Sequence, residues 1–168
     1  MKPLLFILTL LFLMGCHNKT IDRFKTHKAT FAALQQTKQI ALLKEGEVDT
    51  LISATYLLEK QSLAYGAKNS NKGISERFVV GIFFGDANAT FEDLNITLNN
   101  QSPIAIKKVE NSNKLLLTIP MLNSWSSYYL IAFNPINQNT IELAFEKEGV
   151  EKKNKKFHKV ARYLLEPK

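Results

Sequence analysis

The chain has 168 residues, of which 45% are hydrophobic and 22% are charged, with a formal net charge of +7 and one cysteine. This length supports one domain with a real core and leaves too little chain for two. A single cysteine excludes an intramolecular disulfide, so packing alone must hold the domain together. The sequence contains no phosphate loop, zinc-protease motif or nucleophile elbow, and it therefore points to no enzyme class.

The first predicted element is an apolar run from Leu4 to Met14 that follows Lys2. A helix of this length covers only about half of a ~30 Å hydrocarbon core, which is typical of a signal peptide rather than of a spanning helix. The run leads directly into Leu13-Met14-Gly15-Cys16. This stretch resembles the lipobox of bacterial lipoproteins, whose cysteine receives a diacylglyceryl group. The alternative is a buried free cysteine close to a signal peptide.

The resemblance implies that residues 1–15 are removed and that Cys16 becomes a lipidated N-terminus, which anchors the protein to a membrane. In Gram-negative sorting systems an aspartate after the cysteine retains lipoproteins in the inner membrane, whereas this chain has His17. The outer membrane is therefore implied, with its periplasmic or surface face left open. Residues 16–35 form the tether, in which the spacing of Phe24, Phe31 and Leu34 predicts a short helix. Residues 36–168 form one domain.

A β-hairpin is predicted next, in KQIALLKEGEVDTLISATYLLEK, with its turn around Glu45-Gly46-Glu47. One long helix from Ala29 to Leu43 is the alternative. After a polar loop, ERFVVGIFFG is apolar at every alternate position on both faces, which predicts a central strand buried on both sides. Leu94, Ile96 and Leu98 then alternate with polar residues, as in a half-exposed strand.

Four further strands are predicted in KLLLTIP, SYYLIAF, TIELAFEKE and FHKVARYLLEP. About eight short strands separated by turn residues indicate a mainly β protein, an antiparallel β-sandwich of immunoglobulin-like architecture. Trp125, Tyr128 and Tyr129 are expected to pack in its core and rim, with an exposed carbohydrate-binding platform as the alternative.

The candidate chemistry is sparse. The histidines are His17, His27 and His158, and no cysteine is placed to join them as a metal ligand. The sequence thus predicts no catalytic residue, no metal and no cofactor.

A basic run near the end of the chain contains Lys152, Lys153, Lys155, Lys156 and Lys159. These lysines are candidates for contact with an anion or with anionic lipid. An exposed loop or edge hairpin, on which lysines prevent strands from aggregating, is the simpler interpretation. For an exported protein we expect no nucleic-acid partner.

Two glycosylation sequons carry an aspartate two residues before the asparagine. Asn88 follows Asp86, and Asn95 follows Asp93. This D-x-N-x-T pattern resembles the extended acceptor of bacterial N-glycosylation, and chance in an asparagine-rich chain is the alternative. Asn88 is the better candidate because it lies in a predicted loop, whereas Asn95 lies in a predicted strand.

Together these features predict a non-enzymatic envelope lipoprotein whose sandwich binds a protein partner, in an adhesin, assembly or secretion-accessory role. Open sandwich edges can accept a partner strand. The alternative is a carrier or binder of a small ligand or of anionic lipid.

Overall fold

A computed structural model describes residues 33–58, 69–70 and 73–159 of the chain. The predicted signal peptide, Cys16, nearly all of the tether and the chain after Lys159 lie outside these residues. The described part begins with a helical turn at residues 33–35. Its strands are β1 (Thr37–Lys44), β2 (Glu47–Leu57), β3 (Asn69–Ser70), β4 (Gly73–Ile74), β5 (Glu76–Phe84), β6 (Leu94–Leu98), β7 (Ala105–Val109), β8 (Ser127–Phe133), β9 (Thr140–Lys147) and β10 (Val150–His158).

Eight of these strands form two antiparallel sheets. The larger sheet has the order β1-β2-β5-β8-β7, and the smaller has the order β10-β9-β6. The two sheets bury a common core, and β1 lies beside β10. The predicted antiparallel β-sandwich is therefore confirmed.

Strand β5 occupies the centre of the larger sheet and is buried on both faces, as predicted. Phe78, Val80 and Ile82 point inward and join the core between the sheets. Val79 points outward, into a second apolar cluster. That cluster is completed by residues of β2, β7, β8 and the connection 110–126, namely Leu57, Val109, Leu115, Leu116, Ile119 and Tyr128.

The period-two patterns predicted most of the strands correctly. The β1–β2 hairpin is present, and both Glu45 and Gly46 have positive φ, as a tight two-residue hairpin turn requires. The alternative helix up to Leu43 is wrong, because β1 begins at Thr37. The predictions for β5, β6, β8 and β9 are confirmed.

The predicted strand in KLLLTIP is wrong. Leu116–Thr118 form a 3-10 helix, and the side chain of Asn113 accepts a hydrogen bond from the amide of Leu115 at 3.0 Å. This turn directs Leu115, Leu116 and Ile119 onto the larger sheet, whereas a strand would point Leu115 and Leu116 to opposite sides. Strand β7 (AIKKV) was not predicted because apolar and polar residues do not alternate along it. It is recognised as a strand only by its pairing with β8. The predicted last strand begins inside β10 at Phe157, and its remainder lies outside the described residues.

Two charge pairs connect the sheets, one at each end of the sandwich. Asp49 is the extra residue of a bulge in β2, and its carboxylate contacts the Lys147 ammonium of β9 at 2.7 Å. This hydrogen bond from Lys147 lowers the pKa of Asp49, outweighing the opposing effect of burial. At the other end, the buried Glu76 carboxylate accepts a hydrogen bond from the Tyr56 hydroxyl at 2.6 Å and contacts Lys159.

Substitution Asp49→Asn should weaken the fold in a pH-dependent manner. Because the pKa of Asp49 is lowered in the folded state, its stabilisation is complete above the unfolded value of about 3.9 and is lost as the pH falls through the lower folded value. We expect the variant to lose roughly 1–3 kcal/mol at neutral pH. In urea unfolding from neutral to acidic pH, the difference from the native chain should shrink at the acidic end.

Glu151→Gln is the control, because Glu151 pairs with Lys153 on the surface. Its effect should stay within about 0.5 kcal/mol. A deficit for Asp49→Asn that persists at the acidic end would show that the ion pair is not its cause.

Candidate functional site

The candidate site is a group of exposed apolar side chains on the outer face of the larger sheet and on the connection 110–126 that crosses it, which we call the apolar strip. Leu51 and Phe83 form a cross-strand pair between β2 and β5, and both are exposed. Monomeric proteins expose contiguous apolar surface of this kind mainly where they bind something. The strip consists of Leu43, Val48, Leu51 and Phe83 on the strands and of Met121, Leu122 and Trp125 on the connection 110–126.

The connection 110–126 forms one border of the strip, and two contacts fix its path. The amide of Asn123 donates to the Tyr128 hydroxyl at 2.8 Å. The Tyr128 ring lies directly over Gly81, where an added Cβ would come within 2.6 Å of the ring. Met121 reaches the far edge of the sheet. There its sulfur accepts a hydrogen bond from the side-chain amide of Gln39 in β1 at 3.4 Å. The connection therefore crosses the sheet, and Leu51 and Phe83 lie in the next row of side chains beyond it.

Trp125 is the most exposed aromatic side chain of the strip, at 65%. It lies two residues before β8, whose first residue, Ser127, pairs with Ile82 beside Phe83. The expectation that Trp125 packs in the core or rim is wrong. The reason is that Tyr128 already fills the outer face over Gly81 and is itself buried. Tyr129 is half-buried and stacks on Phe91 with ring centres 4.1 Å apart, so the three aromatic residues do not form a carbohydrate platform.

The strand residues of the strip lie toward the end of the sandwich that is opposite to the start of the domain. Thr37 begins β1 at one end of the sheet, whereas Leu43 lies beside the β1–β2 turn at the other. Beside Val48 is an open depression of about 520 Å³. Its lining includes the exposed acidic side chains of Glu45, Glu47 and Asp86 and one exposed basic side chain, Lys44, so an acidic rim with excess negative charge borders the strip.

Four of the five predicted lysines lie on β10, an edge strand of the smaller sheet, which fits the edge-hairpin interpretation, and Lys159 directly follows that strand. Lys152 lies 3.8 Å from Glu146, and Lys153 pairs with Glu151. Lys159 contacts the buried Glu76 and the Ile136 carbonyl oxygen. The charge of Lys159 is therefore balanced within the fold by Glu76, and Lys159 does not belong to an exposed anion site. Lys155 and Lys156 remain exposed on β10.

The acids of both sequons have roles in the fold. Asp86 accepts a hydrogen bond from the Asn88 amide at 2.8 Å, which shapes an exposed turn. Asp93 accepts one from the Thr90 amide at 2.7 Å, which caps the 3-10 helix Phe91–Asp93. These local hydrogen bonds account for an aspartate at both positions without a role in glycosylation. Both Asn88 and Asn95 are exposed, Asn88 in the turn and Asn95 on β6.

The described residues contain no group of three or more His, Cys, Asp or Glu side chains that could hold a metal ion. His158 hydrogen-bonds Thr140 at 3.1 Å on the surface. Over the same residues, no helix has the length and apolarity needed to cross a membrane. Comparison of the chain with protein-family models, curated proteins and solved structures gave no match.

Since Trp125 is the only tryptophan, its fluorescence reports directly on the strip. The folded protein should show the red-shifted emission of a hydrated indole. Acrylamide should quench this emission nearly as well as it quenches that of the protein unfolded in urea. In a Trp125→Phe variant carrying Tyr128→Trp, the emission should be blue-shifted and protected from quenching, because residue 128 is buried. Blue-shifted, protected emission from Trp125 itself would show that the indole is covered.

Proposed function

We propose that the chain is a lipid-anchored, non-enzymatic protein of the bacterial outer membrane whose β-sandwich binds a protein partner through the apolar strip. The supporting observation is the exposure of Leu51 and Phe83 on the outer face of the larger sheet, together with the exposed Met121 and Trp125 of the connection 110–126 that borders them. Tryptophan, phenylalanine and methionine are enriched in protein interfaces, and tryptophan is prominent among the residues that dominate binding energy. Anchoring through Cys16 follows from the lipobox resemblance.

The position of the strip favours a protein partner over the bilayer itself. The described domain starts at Ala33, beside the end of the sandwich where β1 begins, and the tether from Cys16 would arrive there. The strand residues of the strip, Leu43, Val48, Leu51 and Phe83, lie toward the opposite end. The acidic rim of Glu45, Glu47 and Asp86 would also repel anionic headgroups. A surface that projects away from the anchor and carries negative charge suits a protein.

The second candidate is binding of an anionic ligand or lipid on β10. It is supported by the exposed Lys155 and Lys156, which form no ion pair with any residue of the described ranges. Its charge density is lower than the sequence indicates, because Lys152, Lys153 and Lys159 have acidic partners. Protein binding through the apolar strip is therefore the better supported function.

Site-specific photocrosslinking in the native membrane tests the proposed function. Benzoylphenylalanine replaces Trp125 in one chain and the exposed Asn154 of β10 in a matched control. We expect a discrete protein adduct at position 125 and none at position 154. Leu51→Asp should reduce the adduct about tenfold or more, because it places a charge in the middle of the apolar contact.

Lipid adducts at position 125, or equal protein adducts at both positions, would contradict the proposal. The anchor is tested separately. Cys16→Ala should move the protein out of the membrane fraction while circular dichroism still shows a β-rich fold. Retention in the membrane would contradict anchoring through Cys16.

A further inference from the structure

Among the residues that the structure describes, no strand covers one side of the sandwich. The larger sheet ends at β7, and the smaller sheet ends at β6. Ile106 of β7 pairs with Ile131 of β8, so both side chains point to the inner face. Ile131 is fully buried, yet Ile106 is 46% exposed. The cover provided by the smaller sheet therefore ends over β8 and leaves β7 open.

The uncovered surface continues on both sides of Ile106. Ile104 is 55% exposed, and its amide remains hydrogen-bonded to the Ala132 carbonyl oxygen of β8 at 2.8 Å. Lys108 is exposed and lies on the same side of β7 as Ile106, because the two are separated by one residue. The open side of β7 thus presents apolar surface that ends in a positive charge.

Next to this surface, β6 is an edge strand of the smaller sheet. It pairs with β9 along its whole length. On its other side, within the part of the chain that the structure describes, the only pairing is a bridge between Leu98 and Gln101. Residues 94–97 therefore present backbone groups to which a further strand can bind. These residues carry no charge, whereas the edge strand β7 carries Lys107 and Lys108, which protect an edge against pairing.

We propose that an extended strand of a partner protein adds to the free edge of β6 and becomes the fourth strand of the smaller sheet. Neighbouring strands lie about 4.8 Å apart, so the added strand would lie over β7 and cover Ile104 and Ile106. Its chemistry follows from that position. Alternate side chains are apolar and face β7, and an acidic residue at one end meets Lys108.

This strand-accepting site is independent of the apolar strip. The strip lies on the outer face of the larger sheet, whereas Ile106 points to the inner face. The two sites can therefore be tested separately.

The test uses the full chain in detergent and a fluorescent synthetic peptide of alternating valine and threonine with a terminal glutamate. A second peptide of equal length has proline at the threonine positions and cannot complete a strand ladder. We expect the first peptide alone to bind and to slow hydrogen exchange in β6 and not in β1. Ile106→Glu should weaken binding about tenfold or more, because it puts a charge under the added strand. Trp125→Ala should leave peptide binding unchanged.

Equal binding of the proline peptide, or binding without protection of β6, would overturn the proposal. Binding that appears only after residues 160–168 are deleted would also overturn it, since the end of the same chain would then be the occupant.

Discussion

The architecture depends on one strand, β5, whose side chains are apolar on both faces. Phe78, Val80 and Ile82 require cover on one side, and Val79 requires it on the other. The smaller sheet supplies the first cover. The connection 110–126 supplies the second, by folding Leu116 and its neighbours onto the outer face of the larger sheet. Because hydrophobic burial is the dominant favourable term in folding, this connection belongs to the core although it contains little regular structure.

Both proposed interaction surfaces arise where these covers end. The connection crosses the larger sheet between Gln39 and Tyr128 and leaves Leu51 and Phe83 uncovered beyond it. The smaller sheet, with three strands against five, leaves Ile106 uncovered on the other face. The exposure of these apolar side chains is the observation on which both proposed binding roles rest.

Period-two patterns were sufficient to predict the hairpin and strands β5, β6, β8 and β9, since each has one or two apolar faces in regular alternation. These patterns failed for β7, which is recognisable only from its pairing with β8. They also failed for KLLLTIP, which contains a 3-10 helix instead of a strand. The candidate site was missed for a related reason. Two apolar faces on β5 predict burial, and nothing in the sequence indicates how far the connection 110–126 reaches. The partners of Lys159 and of the sequon acids Asp86 and Asp93 likewise depend on the fold.

The claim that the connection 110–126 is part of the core can be tested at two adjacent leucines. Leu116 is 2% exposed and Leu117 is 82% exposed. Urea unfolding of Leu116→Ala should show a loss of about 2–4 kcal/mol, as expected for a buried leucine, whereas Leu117→Ala should stay within about 0.5 kcal/mol. Equal effects of the two substitutions would contradict the account, because the connection would then be a surface loop and the outer face of β5 would lack its cover.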